Sequence, residues 1–96
     1  MPEPLTHDQI ATALENLPGW EHGDDELNKS FEFADFKAAL AFINRVGEAA
    51  EALGHHPELF NVYNRVKLAL STHDADGRVT QLDVDLAGRI NAAAEA

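Results

Sequence analysis

Three of the five histidines in this chain stand where their side chains could act together. His55 and His56 are adjacent and are followed by Pro57, and His73 lies further along the chain. Histidine has an ordinary pKa of about 6.5, so it can both donate and accept a proton at neutral pH. Two or three imidazoles around one pocket could protonate a leaving hydroxyl and remove a proton elsewhere, as a dehydration requires. These residues therefore point to acid–base chemistry.

Two other roles for these histidines compete with acid–base chemistry. His55 could interact with the last carbonyls and the dipole of a preceding helix, which is a purely structural role that local spacing leaves open. A metal site would need three or four ligands, and Glu51 or Asp74 could join the histidines. Adjacent side chains tend to point apart and no zincin-like spacing is present, so we expect no metal. We assign His7 and His22 to the surface, without a function.

Composition and charge limit the partners of the protein. The 96 residues predict one domain, 1–96, and a chain this short buries only about 60–65% of its unfolded surface, so oligomerisation is a reasonable expectation. A net charge of −10 argues against nucleic acid and anionic membrane surfaces as partners, because both attract Lys and Arg. Cysteine is absent, and the sequence shows no signal peptide or membrane span. We expect a cytoplasmic protein.

Three segments have helical spacing and recognisable ends. The capping-box patterns Thr6-His7-Asp8-Gln9 and Thr80-Gln81-Leu82-Asp83 begin the first and third helices. A central helix is predicted over 36–53, between Asp35 as N-cap and Gly54 as the residue after the helix. The apolar stripe of the central helix is predicted to comprise Phe36, Ala39, Leu40, Ile43, Val46, Ala50 and Leu53.

The remaining segments predict strands. A hairpin is expected over 20–33, followed after the central helix by one long strand over 60–72 and a short strand at 78–79. Phe60, Val62, Val66, Leu68 and Leu70 are predicted to share one face of the long strand. The order α-β-β-α-β-β-α predicts an α+β two-layer domain, in which a four-stranded antiparallel sheet carries three helices on one face. If the long strand packs on the central helix, the three histidines converge.

A longer pattern resembles that of a known family. Glu51, His55-His56-Pro57, Tyr63 and His73 are spaced as in the pterin-4a-carbinolamine dehydratases, and Asp83 completes the pattern. The similarity covers roughly residues 19–90. It includes the segments Gly19-Trp20, Phe31-Glu32-Phe33, Phe60-Asn61-Val62-Tyr63-Asn64-Arg65-Val66, Ser71-Thr72-His73-Asp74 and Leu82-Asp83-Val84-Asp85-Leu86-Ala87.

The resemblance implies a fold, an assembly and a reaction. The fold is the one predicted above, in homodimers or homotetramers with sheets joined edge to edge and central helices packed between subunits. The reaction is the loss of water from 4a-hydroxytetrahydrobiopterin, giving quinonoid dihydrobiopterin without a cofactor. An alternative is a non-catalytic pterin- or protein-binding module, because some members serve as dimerisation partners of a homeodomain transcription factor.

The resemblance also implies roles for individual residues. The catalytic residues are His55, His56 and His73. The residues that contact the pterin are Gly54, His55, His56, Pro57, Ser71, Thr72, His73 and Asp74. As a hypothesis, His56 and His73 exchange protons with the C4a hydroxyl and the pterin ring, while His55 orients the substrate.

Three further residues have supporting roles, each with a simpler alternative. Glu51 could orient an imidazole or could lie on a solvated helix face. Asp83 already has a structural role as the third residue of a capping box. Tyr63, like Pro57, is expected mainly to form pocket wall or to shape a loop.

The sequence departs from the family pattern at three places. Leu59 replaces a tryptophan that is frequent there, Gly54 replaces an acidic or polar residue, and the turn over 74–78 is one residue longer than usual. These departures concern the wall of the pocket and the identity of the preferred pterin more than the fold.

Overall fold

The computed structural model describes residues 2–95 and shows the predicted α+β fold with its order α-β-β-α-β-β-α. The helices are α1 (His7–Leu14), α2 (Phe36–Leu53) and α3 (Gln81–Ala94), and the strands are β1 (Glu21–Gly23), β2 (Glu26–Glu32), β3 (Glu58–Val62) and β4 (Arg65–Leu70). The strands form one sheet in the order β1-β2-β4-β3, and each neighbouring pair is antiparallel. Within residues 2–95, no helix has the length and apolar character needed to span a membrane.

All three helices begin at the predicted capping residues, and α2 also ends at its predicted one. Thr6 and Thr80 each form a complete capping box, and the carboxylate of Asp35 accepts a hydrogen bond of 2.8 Å from the backbone N–H of Ala38. Gly54 ends α2 in the left-handed conformation, with φ 61°. These caps satisfy backbone groups that have no partner within a helix, and they are local in sequence, which explains why they could be predicted.

The core lies between the helices and one face of the sheet, and its composition corrects the predicted stripe of α2. Phe42, which the stripe omitted, is fully buried, whereas Phe36 and Leu40 are 45% and 44% exposed. The reason is geometric. Phe42 lies three residues after Ala39 and four before Val46, so all three share a side, and Leu40 is turned by about 100° from Ala39.

The prediction of one long strand over 60–72 is wrong, because the chain reverses at residues 63–64. Tyr63 adopts a left-handed conformation with φ 51°, and the amide of Asn61 donates hydrogen bonds to the carbonyls of Tyr63 and Arg65, of 3.2 and 2.8 Å. The apolar residues on either side of the turn, Val62 and Val66, keep the same parity, so the sequence resembled one strand in spite of the polar Asn64 between them.

The reversal places Phe60 and Val62 on the face of the sheet opposite to the core. Phe60 pairs with Lys67 and Val62 with Arg65, and directly paired residues share a face. Phe60 and Val62 are accordingly 67% and 56% exposed. The predicted strand at 78–79 is also wrong, since it is reduced to a single bridge between Thr72 and Arg78, and β4 is the fourth strand.

A polar cluster joins the segment after α1 to β2 and α3. The ammonium of Lys29 donates to the carbonyl of Pro18 (2.7 Å) and to the side-chain oxygen of Asn91 (2.8 Å), which also accepts from the indole N–H of Trp20 (2.9 Å). Burial lowers the pKa of Lys29, and the charge of Glu95 opposes this shift. The cluster fixes the entry into the first hairpin.

Gly19→Ala tests how tightly this cluster is packed. A Cβ at Gly19 would lie 2.6 Å from Cε of Lys29, and the φ of 84° is strained for alanine. We expect the free energy of unfolding in urea to fall by about 1–3 kcal/mol. Gly47→Ala is the control. An added Cβ there meets no atom within 4 Å, so alanine in the helix should raise the stability by about 0.5–1 kcal/mol. Equal effects of the two changes would contradict both the strained backbone and the close contact described for Gly19.

Candidate active site

The end of α2 determines where His55 lies. The left-handed Gly54 turns the chain, and the backbone N–H of His55 then donates to the carbonyl of Ala50 at 3.0 Å. The backbone of His55, not its imidazole, therefore caps the helix. The side chain is free to turn inward, and the residue is only 9% exposed.

The imidazole of His55 meets a buried carboxylate. Its Nε2 lies 2.5 Å from Oδ1 of Asp83, a residue with no exposed surface. A carboxylate accepts, so Nε2 carries the proton and donates it, which leaves Nδ1 of a neutral ring as an acceptor. Within residues 2–95, Nδ1 has no protein partner, and no buried side-chain nitrogen or oxygen lacks one. His55 also lines the cavity described below, where Nδ1 is the ring nitrogen left as an acceptor.

Asp83 serves both the cap of α3 and His55. Its Oδ2 accepts from the backbone N–H of Thr80 at 2.9 Å, which is the capping-box bond, and from the hydroxyl of Thr72 at 2.8 Å. The carboxylate thus accepts three hydrogen bonds, as a buried ion requires. The predicted capping role of Asp83 is confirmed, and the contact with His55 is additional to it.

His56 forms a second, exposed pair. Its Nε2 lies 2.7 Å from Oε1 of Glu51, with the two side chains 65% and 78% exposed. Glu51 thus contacts an imidazole, that of His56, and also lies on a solvated face of α2, so both of its predicted alternatives hold. Such an exposed pair adds little stability, and its effect is to favour one orientation of the ring.

His73 stands in a short 3₁₀ turn, His73–Ala75, immediately after the bridge residue Thr72. The carbonyl of Thr72 accepts from the backbone N–H groups of Ala75 and Gly77, both at 3.0 Å. Asp76 and Gly77 have positive φ values of 58° and 74°, which accommodate the turn over 74–78. The imidazole of His73 is exposed and makes no hydrogen bond within residues 2–95.

The three histidines line a single cavity of about 300 Å³ between the end of α2 and the turn after β4. This volume is at the lower end of the range for small-molecule sites. The cavity is lined by Pro2, Gly54, His55, His56, Ser71, Thr72, His73, Asp74 and Leu82. The structure therefore brings together the residues predicted to contact the pterin, except Pro57.

Sequence reasoning missed Pro2 and Leu82 as lining residues. The backbone N–H of Leu5 donates to the carbonyl of Val79 at 2.9 Å and so holds the N-terminal segment near the start of α3. Leu82 is half-buried in the first turn of α3. Neither position carries a local sequence signal, because only the packing of separate segments brings them to the cavity.

Two predicted wall positions lie away from this cavity. Tyr63 occupies the turn between β3 and β4, at the opposite end of β3 from Pro57, and is 62% exposed. Leu59 on β3 is 39% exposed and does not line the cavity either. Tyr63 instead borders a larger surface concavity around Phe60 and Lys67, which contains no histidine.

The candidate ligands for a metal do not converge in the part of the chain described. Within residues 2–95, no group of three or more His, Cys, Asp or Glu side chains is arranged to hold a metal ion. His55 and His56 instead bond to different carboxylates, those of Asp83 and Glu51. Divergent adjacent side chains were the expectation from sequence.

Comparison with known proteins gives the family. The family described as "Pterin 4 alpha carbinolamine dehydratase" matches residues 3–93. This chain belongs to that family. A family relative from Rhizorhabdus wittichii, named "Putative pterin-4-alpha-carbinolamine dehydratase", is 50% identical over 95 residues, which cover 97% of each chain.

Two solved structures of the pterin dehydratase type have the same fold. One, from Brucella melitensis, is described as a transcriptional coactivator/pterin dehydratase and is 42% identical, with a TM-score of 0.90 over 95% of this chain and 98% of that one. The other is a pterin dehydratase-like protein described as a RuBisCO assembly factor in the alpha-carboxysome. It is 21% identical, with a TM-score of 0.70 over 84% and 95% of the two chains, and shows the shared fold.

Asp83→Ala tests the buried network at the level of stability. Removal of this carboxylate leaves three buried donors without an acceptor: the His55 ring, the Thr72 hydroxyl and the Thr80 N–H. Because each such donor costs about 1–3 kcal/mol, the free energy of unfolding should fall by about 3–5 kcal/mol. Asp85→Ala is the control. It removes the same charge from an exposed site of α3, and its effect should stay within about 0.5 kcal/mol. Similar losses in urea unfolding for both variants would contradict the special role of Asp83.

Proposed function

We propose that this protein is a cytoplasmic lyase that dehydrates 4a-hydroxytetrahydrobiopterin to quinonoid dihydrobiopterin in tetrahydrobiopterin recycling. Membership of the family supports the substrate class. The observation that carries the chemistry is that His55, His56 and His73 line one cavity, with His55 bonded to a buried carboxylate. The proposal involves neither a metal nor another cofactor.

The reaction needs one acid and one base. The bond between C4a and the hydroxyl oxygen breaks, and the oxygen leaves as water after it receives a proton. A ring nitrogen loses a proton, and no electrons are transferred to or from the substrate. Acid and base can each be an imidazole, because histidine exchanges protons readily near neutral pH.

The surroundings of the histidines favour different roles for them. His55 presents an acceptor, Nδ1, and the carboxylate of Asp83 on the opposite nitrogen stabilises the ring when it takes up a proton. We therefore assign the base to His55, in place of the orienting role inferred from sequence. His56 and His73, which are exposed at the same cavity, supply the proton to the leaving hydroxyl.

His73→Ala tests the proposed chemistry. The purified protein should accelerate the dehydration of 4a-hydroxytetrahydrobiopterin, followed by absorbance, in the presence of a chelator. His73→Ala should lower kcat by about 10²-fold, because it removes a proton donor from the cavity. His7→Ala, which removes an exposed histidine of α1 away from the cavity, should leave kcat unchanged. A folded His73→Ala variant with full activity would refute the role of His73.

A non-catalytic binding module is the second candidate function. It is favoured by the Brucella melitensis structure, which is described as a coactivator as well as a dehydratase. With a net charge of −10, such a module would bind protein or pterin and not nucleic acid. Calorimetric binding of a dihydropterin, without turnover of the carbinolamine, would favour this function over the lyase.

The exposed apolar residues support a homodimer or homotetramer. Phe60 and Val62 lie exposed on the edge strand β3, and Phe36 and Leu40 on α2. Edge strands with apolar side chains are ready to pair with another chain. In this arrangement, two sheets join through β3 and the α2 helices of neighbouring subunits pack together.

Phe60→Glu tests the contact through β3. Light scattering should give two or four times the chain mass of 10.5 kDa for the unmodified protein, and half that value or less for Phe60→Glu. Asn28→Glu is the matched control, because it adds the same charge to the same sheet face on β2, two strands from β3. A monomeric mass for the unmodified protein would exclude this assembly.

A further inference from the structure

Two threonine hydroxyls close to the cavity face the interior of the protein. Thr72 and Thr80 are 3% and 1% exposed, and their Oγ1 atoms lie 2.7 Å apart. Thr72 belongs to the segment predicted to contact the pterin, yet its hydroxyl is directed at Asp83. The side chain of Thr72 is therefore engaged inside the protein, and its function differs from that of its neighbour His73.

The donors and acceptors of this cluster fit one arrangement. A threonine hydroxyl has a single hydrogen to donate. Thr72 uses its hydrogen on Oδ2 of Asp83, so the hydrogen between the two threonines comes from Thr80. The oxygen of Thr80 also accepts from the backbone N–H of Leu82 at 3.2 Å. The hydrogen bonds thus run from Thr80 to Thr72 and on to Asp83.

This chain of hydrogen bonds fixes the rotation of the Asp83 carboxylate. Oδ2 is held by the hydroxyl of Thr72 and the backbone N–H of Thr80, so Oδ1 is the oxygen that remains for His55. A carboxylate that is held at one oxygen places the other reproducibly. The direction in which the His55 ring presents Nδ1 therefore depends on Thr72.

Thr72 also holds the turn that carries His73. Its carbonyl accepts from Ala75 and Gly77, and its N–H donates to the carbonyl of Arg78 at 2.9 Å. The backbone of Thr72 thus positions His73, while its side chain acts on His55. A substitution that removes only the hydroxyl of Thr72 should therefore affect His55 while the backbone contacts that position His73 remain.

We propose that Thr72 is a positioning residue of the active site, whose hydroxyl, oriented by Thr80, holds Asp83 so that His55 presents Nδ1 to the cavity. The catalytic consequence rests on the proposed dehydratase function. The effect on the tautomer and mobility of His55 does not, because it is a property of the protein without substrate. The two consequences can therefore be measured separately.

The kinetic test compares three threonine substitutions. Thr72→Val keeps the shape of the side chain but removes the hydroxyl, and it should lower kcat about 10- to 100-fold with KM within about twofold, because His55 is misplaced and substrate contacts remain. Thr72→Ser restores the donor and should restore kcat to within about threefold. Thr12→Val makes the same exchange on the exposed surface of α1 and should have no effect. Full kcat in Thr72→Val would overturn the proposal.

The spectroscopic test requires no turnover. In ¹⁵N-labelled protein, His55 should be present as the Nε2–H tautomer, with a downfield proton that exchanges slowly with water. Thr72→Val should broaden or abolish this signal, and Thr72→Ser should retain it. An unchanged signal in Thr72→Val would overturn the proposal even if the protein is not a dehydratase. An altered signal without any turnover in the unmodified protein would support the positioning role and refute the lyase.

A second variant covers the case in which Thr72→Val does not fold. Cysteine has nearly the shape of serine but is a much weaker donor, so Thr72→Cys and Thr72→Ser differ mainly in the strength of the hydrogen bond to Asp83. The cysteine variant should show the lower kcat and the weaker His55 signal. Equal values for the two variants would overturn the proposal.

Discussion

The buried carboxylate of Asp83 is the constraint on which the rest of the structure depends. A fully buried charge is costly by several kcal/mol unless it is paired and hydrogen-bonded. Asp83 meets this requirement with donors from three separate segments: His55 after α2, Thr72 after β4 and Thr80 before α3. The end of the central helix, the end of the last strand and the start of the last helix must therefore meet at one point.

This meeting point explains why the histidines of the cavity differ in character. The ring of His55 is buried and held by the network, whereas His56 is held only by an exposed carboxylate and His73 by its backbone turn. A proton acceptor benefits from fixed geometry and a stabilising partner, and a donor that must reach a leaving group benefits from exposure. In the proposed reaction Asp83 serves both the folding of the chain and the orientation of His55, so a substitution there should change stability and activity together.

What could be predicted from the sequence was local. The capping boxes at Thr6 and Thr80 and the left-handed Gly54 depend on residues a few positions apart, and all of them are confirmed. The turn at Tyr63 was missed because Val62 and Val66, on either side of it, keep the parity of a single strand although Asn64 interrupts the pattern. The partner of His55 and the inward hydroxyl of Thr72 depend on packing between distant segments, which no local pattern encodes. The inference that the substrate is a pterin came from the resemblance to the family, and the spacing of the histidines alone did not lead to it.

The order of strands in the sheet has a consequence for the way in which the protein folds. β2 and β4 are neighbours in the middle of the sheet, although α2 and β3 separate them in the sequence. Pairing them requires the intervening loop to be closed, which costs conformational entropy and slows folding. The cavity lies where such distant segments join, so it is complete only when all of them are in place. Each opening motion that separates α3 from the sheet would dismantle the site as a whole.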